Sequence, residues 1–246
     1  HPKQGIDAAI AMAMGHVILK EFHLDNPSDY FLNYCRRYTD MPMLVLLDAR
    51  EDGSYVPGRM MRASDLVDGL GESNNPEWKT IVIDEHSGDL AAPKGSIGFR
   101  WGEQGKWNLK AEDSSGKEVQ AQLSLIAQHD ETVDVAFDYF GGKDASDVMV
   151  RKVPAKKIQL ADGSSCYVAT VFDLSVANYG LDRGLGGGNV ASSYEDDVPY
   201  TPKWQEKHTG VPAEKVIQVA REFAQNAHDS HGKSMVIVGA GLNHWY

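Results

Sequence analysis

The chain has almost no cysteine. Cys35 and Cys166 are the two among 246 residues. They are far apart and form no CxxC pair, so no disulfide framework is encoded and a reducing compartment is the default. Positive charge is scarce too: 24 Lys and Arg stand against 35 Asp and Glu, a net charge of −11. A nucleic-acid partner would want a basic face, so none is expected. A nucleotide is not excluded, because backbone N–H groups and helix N-termini hold phosphates without side-chain charge. Long apolar runs are missing as well. The longest, from Ala8 to Met14, falls far short of a bilayer span, and no basic segment leads to a signal-peptidase site. GxSxG, P-loop, HExxH and DxDxDG patterns are all absent, and Ser175 and Ser234 have no nucleophile context.

What is present is ordinary globular material, 42% hydrophobic and 24% charged, enough for one large domain or two smaller ones. Residues 5–24, GIDAAIAMAMGHVILKEFHL, predict a helix apolar nearly all round and therefore buried between other elements, with Asp7 at its start facing the helix dipole. A second helix is expected over 27–38, with Asn26 as N-cap and Pro27 in the first turn. The period then changes. MLVLLDAR reads as a buried strand, EDGS as a turn and SYVPGRMM as the hairpin partner. ASDLVDGLG reads as a short helix and TIVIDEHSGD as a strand and turn. Farther on, VATVFDLSVANYGL is a strand running into a helix, and TGVPAEKVIQVAREFAQNA is amphipathic through Val216, Val219, Ala220 and Phe223. GKSMVIVGAG ends the series with a short buried strand, Met235 to Val238, of parallel-sheet character. The expected fold is α/β, with parallel-sheet (Rossmann-like) elements at both ends. Its regions are a helical start at 1–42, a β-rich excursion at 43–170, and an α/β region at 171–246 closing on a Gly-rich turn.

Two short motifs can carry chemistry. In GAGLNHW, Gly239 and Gly241 permit close backbone approach to a phosphate, and Asn243 and His244 can hydrogen-bond it. A third fingerprint glycine and a later acidic ribose ligand are missing, so a plain tight turn is the competing reading. In QGIDAA, a carboxylate at a helix mouth can pair with the N1–H and N2–H₂ edge of guanine, or simply serve as an N-terminal cap. The histidines offer less. His228 and His231 are two ligands where zinc needs three or four, and His16 and His23 have no sulfur or carboxylate beside them in sequence. Trp101 and Trp107, with Arg100 and Lys106, fit either a contact surface or a core.

These motifs and the stretches between them resemble one family. PKQGIDAAIAMAMGHVILKEFHLDNP, YCRRYTDMPMLVLL, NNPEWKT, GSIGFRWGEQGKWNL, VANYGLDRGL, YTPKWQEKHTGVPAEKVIQVAREFA and GKSMVIVGAGLNHWY together are similar to the molybdopterin oxidoreductase (dimethyl sulfoxide reductase) family. Within it, the match is to alpha subunits of respiratory membrane-bound nitrate reductases. The resemblance implies a molybdenum bis(molybdopterin guanine dinucleotide) centre that reduces nitrate to nitrite. It further implies a [4Fe-4S] cluster with ligands outside this chain, an iron–sulfur beta subunit, a membrane haem gamma subunit, and a place at the cytoplasmic face of the membrane. The family's Gly-Thr-Asp guanine contact falls on Gly5 and Asp7, with Ile6 in place of threonine. The segment lining the second dinucleotide falls on Gly239, Gly241, Asn243 and His244. Gly186 to Gly188 and the loop at 141–147 depart from the family pattern. No catalytic residue or metal ligand is expected here, and the chain reads as an inactive piece of a longer subunit. The alternatives are a self-contained NAD(P) or other nucleotide-binding module and a non-catalytic subunit-interaction domain.

Overall fold

The computed structural model describes residues 2–94, 112–139, 147–237 and 239. Helix α1 spans Asp7–Ile18 and passes without a break into a π-helical segment, Leu19–Asp25. Its apolarity all round does not make it buried all round. Ala9, Ala13, His16 and Val17 form the inner face, while Ala8 and Ala11 are exposed. Helix α2 is Asp29–Tyr38, and its N-cap is Ser28, whose hydroxyl accepts from Phe31 N at 3.4 Å. Asn26 instead closes the π-helical turn through its N–H to Glu21 O. A serine with extended backbone two residues nearer the helix is the better-placed acceptor for the orphan N–H groups of the first turn.

Every strand among the described residues lies between Leu44 and Thr170. Strands β1 (Leu44–Ala49) and β2 (Tyr55–Met60) form the expected hairpin around Asp52–Ser54. β3 (Val82–Ile83) and β4 (Leu90–Ala91) make a small separate pair. β5 (Glu131–Asp138), β6 (Val148–Gln159) and β7 (Ser165–Thr170) follow as a meander. β7 pairs back onto β1, and β2 meets β5 through Tyr55 and Val135, so β1-β2-β5-β6-β7 is a closed barrel. Five strands cannot alternate direction all the way round, and the β2–β5 contact is accordingly parallel.

Residue parity explains the unbroken MLVLL run. Val45 and Leu47 point into one cluster with Val133, Val135, Phe137, Val153, Ala155 and Ala169. Leu44 points the other way, into a cluster with Ile81, Ile83, Leu125 and Val168. Both faces of β1 are covered, so no polar alternation is possible there. The stretch expected as one short helix, ASDLVDGLG, instead forms two 3₁₀ turns, Ala63–Asp65 and Val67–Gly71, because Asp68, Gly69 and Leu70 adopt positive φ.

Three further helices complete the structure. α3 (Val171–Asn178) leaves β7 directly, capped by the Thr170 hydroxyl accepting from Asp173 N at 3.0 Å. It adds Leu174 and Ala177 to the first cluster. α4 (Pro202–Thr209) and α5 (Ala213–Asp229) lie against α1. α5 buries Val216, Ala220 and Ala224 but leaves Val219 half-exposed. The overall class is therefore mixed α/β with a barrel. The parallel-sheet elements expected at the ends are not seen among the described residues. In particular Met235, Val236 and Ile237 form no strand and are 76%, 70% and 83% exposed. An apolar tripeptide becomes a strand only when a neighbouring edge takes its N–H and C=O groups, and no described strand lies alongside it.

Candidate cofactor-contacting site

The structure places Gly5 and Asp7 at an open helix mouth. Gly5 holds φ +79°, a region that disfavours side chains, and a Cβ added there would meet no heavy atom within 4 Å. Ile6 occupies the N-cap position and gives no side-chain cap; Ala9 N donates to Ile6 O at 3.2 Å, and no side chain caps the N–H groups of Asp7 and Ala8. Asp7 is in the first helical turn rather than at the cap, exposed, and without a hydrogen bond or ion pair among the described residues. A carboxylate there gains from the helix dipole and keeps both oxygens free to accept.

Gly239 is exposed, and a Cβ on it would also meet nothing within 4 Å. Gly241, Asn243 and His244 lie outside the described residues, as do Trp101, Trp107 and the loop at 141–146. The structure does not join the two motifs: no hydrogen bond links Asp7 to Gly239. α1 and α5 run side by side in the same direction. Lys3 N donates to Thr209 O at 2.9 Å near their starts, and Arg221 meets Glu21 toward their ends. At 1.5 Å per residue, α5 puts about 25 Å between Gly5 and the point where the chain departs toward Gly239.

Two buried polar networks and one ion pair at the surface hold this frame. Arg151 on β6 is fully buried, and its guanidinium donates only to backbone carbonyls: Asn189 O at 2.8 Å, Ala177 O at 3.0 Å, Asn178 O at 2.5 Å, and Pro199 O. Ala177 and Asn178 are at the C-terminal end of α3, where the dipole favours a cation. Burial pushes the Arg151 pKa down to about 10, which leaves it charged at neutral pH. Asp173, also fully buried, accepts from Ser124 Oγ at 2.7 Å, Leu125 N at 2.7 Å and Arg183 Nη1 at 2.6 Å. Glu21 in the π-helical segment takes a two-pronged contact from Arg221, with Nε at 2.8 Å and Nη2 at 2.7 Å, and a hydrogen bond from Tyr194 at 2.8 Å. The Arg221 bond holds its carboxyl below the usual range.

His16, His23 and Cys35 serve structure. His16 Nδ1 is 2.7 Å from Tyr179 O, and burial lowers its pKa to about 4. His23 does have a sulfur in space if not in sequence, since Cys35 Sγ is 3.9 Å from its Nδ1. Burial pulls His23 down to about 4 and pushes Cys35 up to about 11. That is the reverse of the thiolate–imidazolium pairing a reactive cysteine needs. Among the described residues no three His, Cys, Asp or Glu side chains are placed to hold a metal ion, and no helix is long and apolar enough to cross a membrane. The described part of the chain is thus a frame of barrel and helices that presents an open helix mouth.

Sequence similarity gives that frame a context. No family model matches the chain. It is 60% identical over 253 residues to the respiratory nitrate reductase 2 alpha chain of Escherichia coli (strain K12) and 58% identical over 254 residues to the respiratory nitrate reductase 1 alpha chain of the same strain. To the respiratory nitrate reductase alpha chain of Bradyrhizobium sp it is 49% identical over 247 residues. These alignments take in 100%, 100% and 98% of this chain. The chain belongs to the nitrate reductase alpha-chain family. It covers 20%, 20% and 24% of those three proteins, so it spans about a fifth of the length of the curated relatives it matches.

Residue reasoning alone missed Arg151, Asp173 with Arg183, and Glu21 with Arg221. For Arg151 a signal existed. It shares strand parity with Met149 and Val153, both buried, which places it on the inward face of β6. Asp173 stands in the apolar run VFDLSV three residues after a capping threonine, which also marks an inward carboxylate. The Glu21–Arg221 pair spans 200 residues of sequence and left no local trace.

Proposed function

We propose that this chain is a segment of a catalytic subunit that reduces nitrate to nitrite at a molybdenum bis(molybdopterin guanine dinucleotide) centre. The observation that carries the proposal is similarity along the whole of this chain, at up to 60% identity, to about a fifth of the length of respiratory nitrate reductase alpha chains. Gly5 and Asp7 hold the guanine end of one dinucleotide, with the Asp7 carboxylate accepting from the base N1–H and N2–H₂. Gly239, Gly241, Asn243 and His244 line the other dinucleotide. The geometry of Gly5 and Asp7 fits such a group: the mouth of α1 has no side-chain cap, the carboxylate is unpaired among the described residues, and nothing occupies the space where a Gly5 side chain would stand. Two nucleotide contacts also suit the divergence of the two motifs along the α1–α5 pair. In context, the exposed Met235 to Ile237 run pairs with a sheet edge supplied by the rest of the subunit, the Rossmann-like element expected from its sequence.

When bound, the molybdenum centre supplies two-electron oxygen-atom transfer from nitrate, with two protons taken up to release water. This chain's own part is to bind and orient the nucleotide ends and to keep their backbone contacts in place. A [4Fe-4S] cluster and an iron–sulfur beta subunit would supply the electrons, and a haem-bearing gamma subunit would anchor the complex at the cytoplasmic face of the membrane. The test uses the complete polypeptide containing this segment, purified with its associated subunits and assayed for molybdenum and for nitrite production from nitrate with a reduced dye. Metal content together with nitrite formation is expected. A correctly folded preparation without either defeats the proposal.

A further inference from the structure

The guanine contact proposed above stands on a short stretch of chain that is itself lightly held. Lys3, Gln4, Gly5, Asp7 and Ala8 are all exposed. Two contacts bracket the stretch, and both are made to α4. Before it, Lys3 N donates to Thr209 O at 2.9 Å. After it, Ala9 is buried in one apolar cluster with Trp204. Thr209 is the last residue of α4, so its carbonyl is among those that a helix end leaves without an intrahelical partner. Lys3 N–H is the donor that takes it up.

The direction of that carbonyl is set inside the fold. Gln205 and Thr209 are both buried. The Thr209 hydroxyl donates to Gln205 Oε1 at 2.6 Å and accepts from Val211 N at 3.0 Å, while Gln205 Nε2 donates to Val211 O at 2.8 Å. Gly210, between Thr209 and Val211, takes φ +76° and donates its N–H to Glu206 O at 2.8 Å. This closed ring of bonds fixes the turn from α4 into α5. Buried polar groups that satisfy one another hold a single geometry, because leaving any of them unmade is costly.

We infer that Gln205 and Thr209 are positioning residues for the guanine-contacting mouth of α1: they aim the Thr209 carbonyl that anchors Lys3, just ahead of Gly5 and Asp7. The inference rests on the guanine contact proposed for those two residues and adds what holds it in place. A carboxylate that reads a base edge has to stand within about 0.5 Å of its productive position. The exposed mouth lacks the packing to ensure that, and the buried ring beside it supplies the constraint.

In the complete polypeptide with its associated subunits, two measurements read this role. Amide hydrogen exchange over residues 3–9 needs no bound nucleotide. The rate at which the native complex sheds guanine nucleotide in mild urea reads the site itself. Thr209→Val keeps the side chain's shape and removes the hydroxyl. It is expected to speed both exchange and shedding about tenfold, the equivalent of a buried hydrogen bond left unmade. Gln205→Met breaks the ring from its other side and is expected to act in the same direction. Thr209→Ser keeps the hydroxyl and is expected to match the unaltered protein. Thr170→Ala, which removes a buried cap from α3, separates positioning from general stability and is expected to leave both rates unchanged. Once Asp7→Asn has removed the contact, Thr209→Val is expected to add little to shedding. Equal acceleration by Thr170→Ala, or a full effect of Thr209→Val in the Asp7→Asn protein, overturns the inference. Nucleotide-bearing protein whose exchange and shedding ignore Thr209→Val and Gln205→Met defeats the positioning role alone. Faster exchange in a preparation that holds neither guanine nucleotide nor molybdenum defeats the functional reading alone.

Discussion

At the scale of single residues, Arg151, His16 and two glycines carry the sharpest consequences. Replacing Arg151 with Met removes the donor to four carbonyls inside the fold. Leaving buried acceptors unmade costs roughly 1–3 kcal/mol each before relaxation, so a loss of at least about 3 kcal/mol is expected in denaturant unfolding. Gly180, at φ +73°, sits where a Cβ would be 2.7 Å from both Arg151 Nη2 and Pro199 O, so Gly180→Ala is expected to cost about 2–3 kcal/mol. Gly5→Ala meets no such neighbour and should cost only about 1 kcal/mol for its backbone conformation, which separates a packing glycine from a site glycine by melting temperature alone. His16 sets a pH dependence. Its folded pKa of about 4 is below the ordinary 6.5, so the unfolded state binds more protons between those values. Stability is therefore full above pH 6.5 and falls as pH drops toward 4, by up to about 3 kcal/mol for this group. Urea midpoints at pH 7.5 and 5.0 should differ less in His16→Gln than in the parent chain. Gly5 was read from its place before a helix, while Arg151 was missed although its parity with Met149 and Val153 marked it as inward. The burial of His16 was not readable, because the Tyr179 carbonyl that receives it lies 163 residues away.

Among the secondary-structure elements, local signals served best where the partner was also local. The β1–β2 hairpin, the β7-to-α3 passage and the amphipathic α5 were all legible, since strand run, turn chemistry and helical period sit within a few residues of one another. Closure of the barrel was not. It depends on one parallel contact between Tyr55 and Val135, and parallel pairing across such a separation leaves no periodic mark. The strand expected at Met235 to Val238 is not seen at its described residues, Met235 to Ile237, for the matching reason, since β character in a short apolar run is realised only beside an edge. Helix caps offer a quantitative check. Thr170 accepts its bond at 3.0 Å in a buried setting and Ser28 at 3.4 Å in a more open one. Thr170→Ala is expected to cost about 1–2 kcal/mol and Ser28→Ala about 0.5 kcal/mol, in denaturant unfolding. Asp173→Asn leaves Arg183, whose side chain is 9% exposed, without its counter-charge, and should cost about 3–5 kcal/mol.

Taken as a whole, the described residues form a barrel and helix frame, and the proposed nucleotide contacts lie at its margins. Its excess of negative charge and its open helix mouth suit a site where a nucleotide base is read by a carboxylate rather than by cations. The family was legible from ordered sequence stretches, while the guanine contact rested on Gly5 and Asp7 by resemblance, because a helix-mouth aspartate looks the same whether it caps or binds. The most direct measurement is the guanine nucleotide content of the complete polypeptide, released as GMP by acid hydrolysis, with Asp7 intact and with Asp7→Asn. The exchange keeps the side chain's shape and removes one acceptor and the charge. A charge-assisted pair of hydrogen bonds is worth roughly 1.5–3 kcal/mol, or ten- to hundredfold in affinity. The account predicts a folded variant that retains markedly less GMP and molybdenum per polypeptide. Equal GMP in both proteins would contradict it.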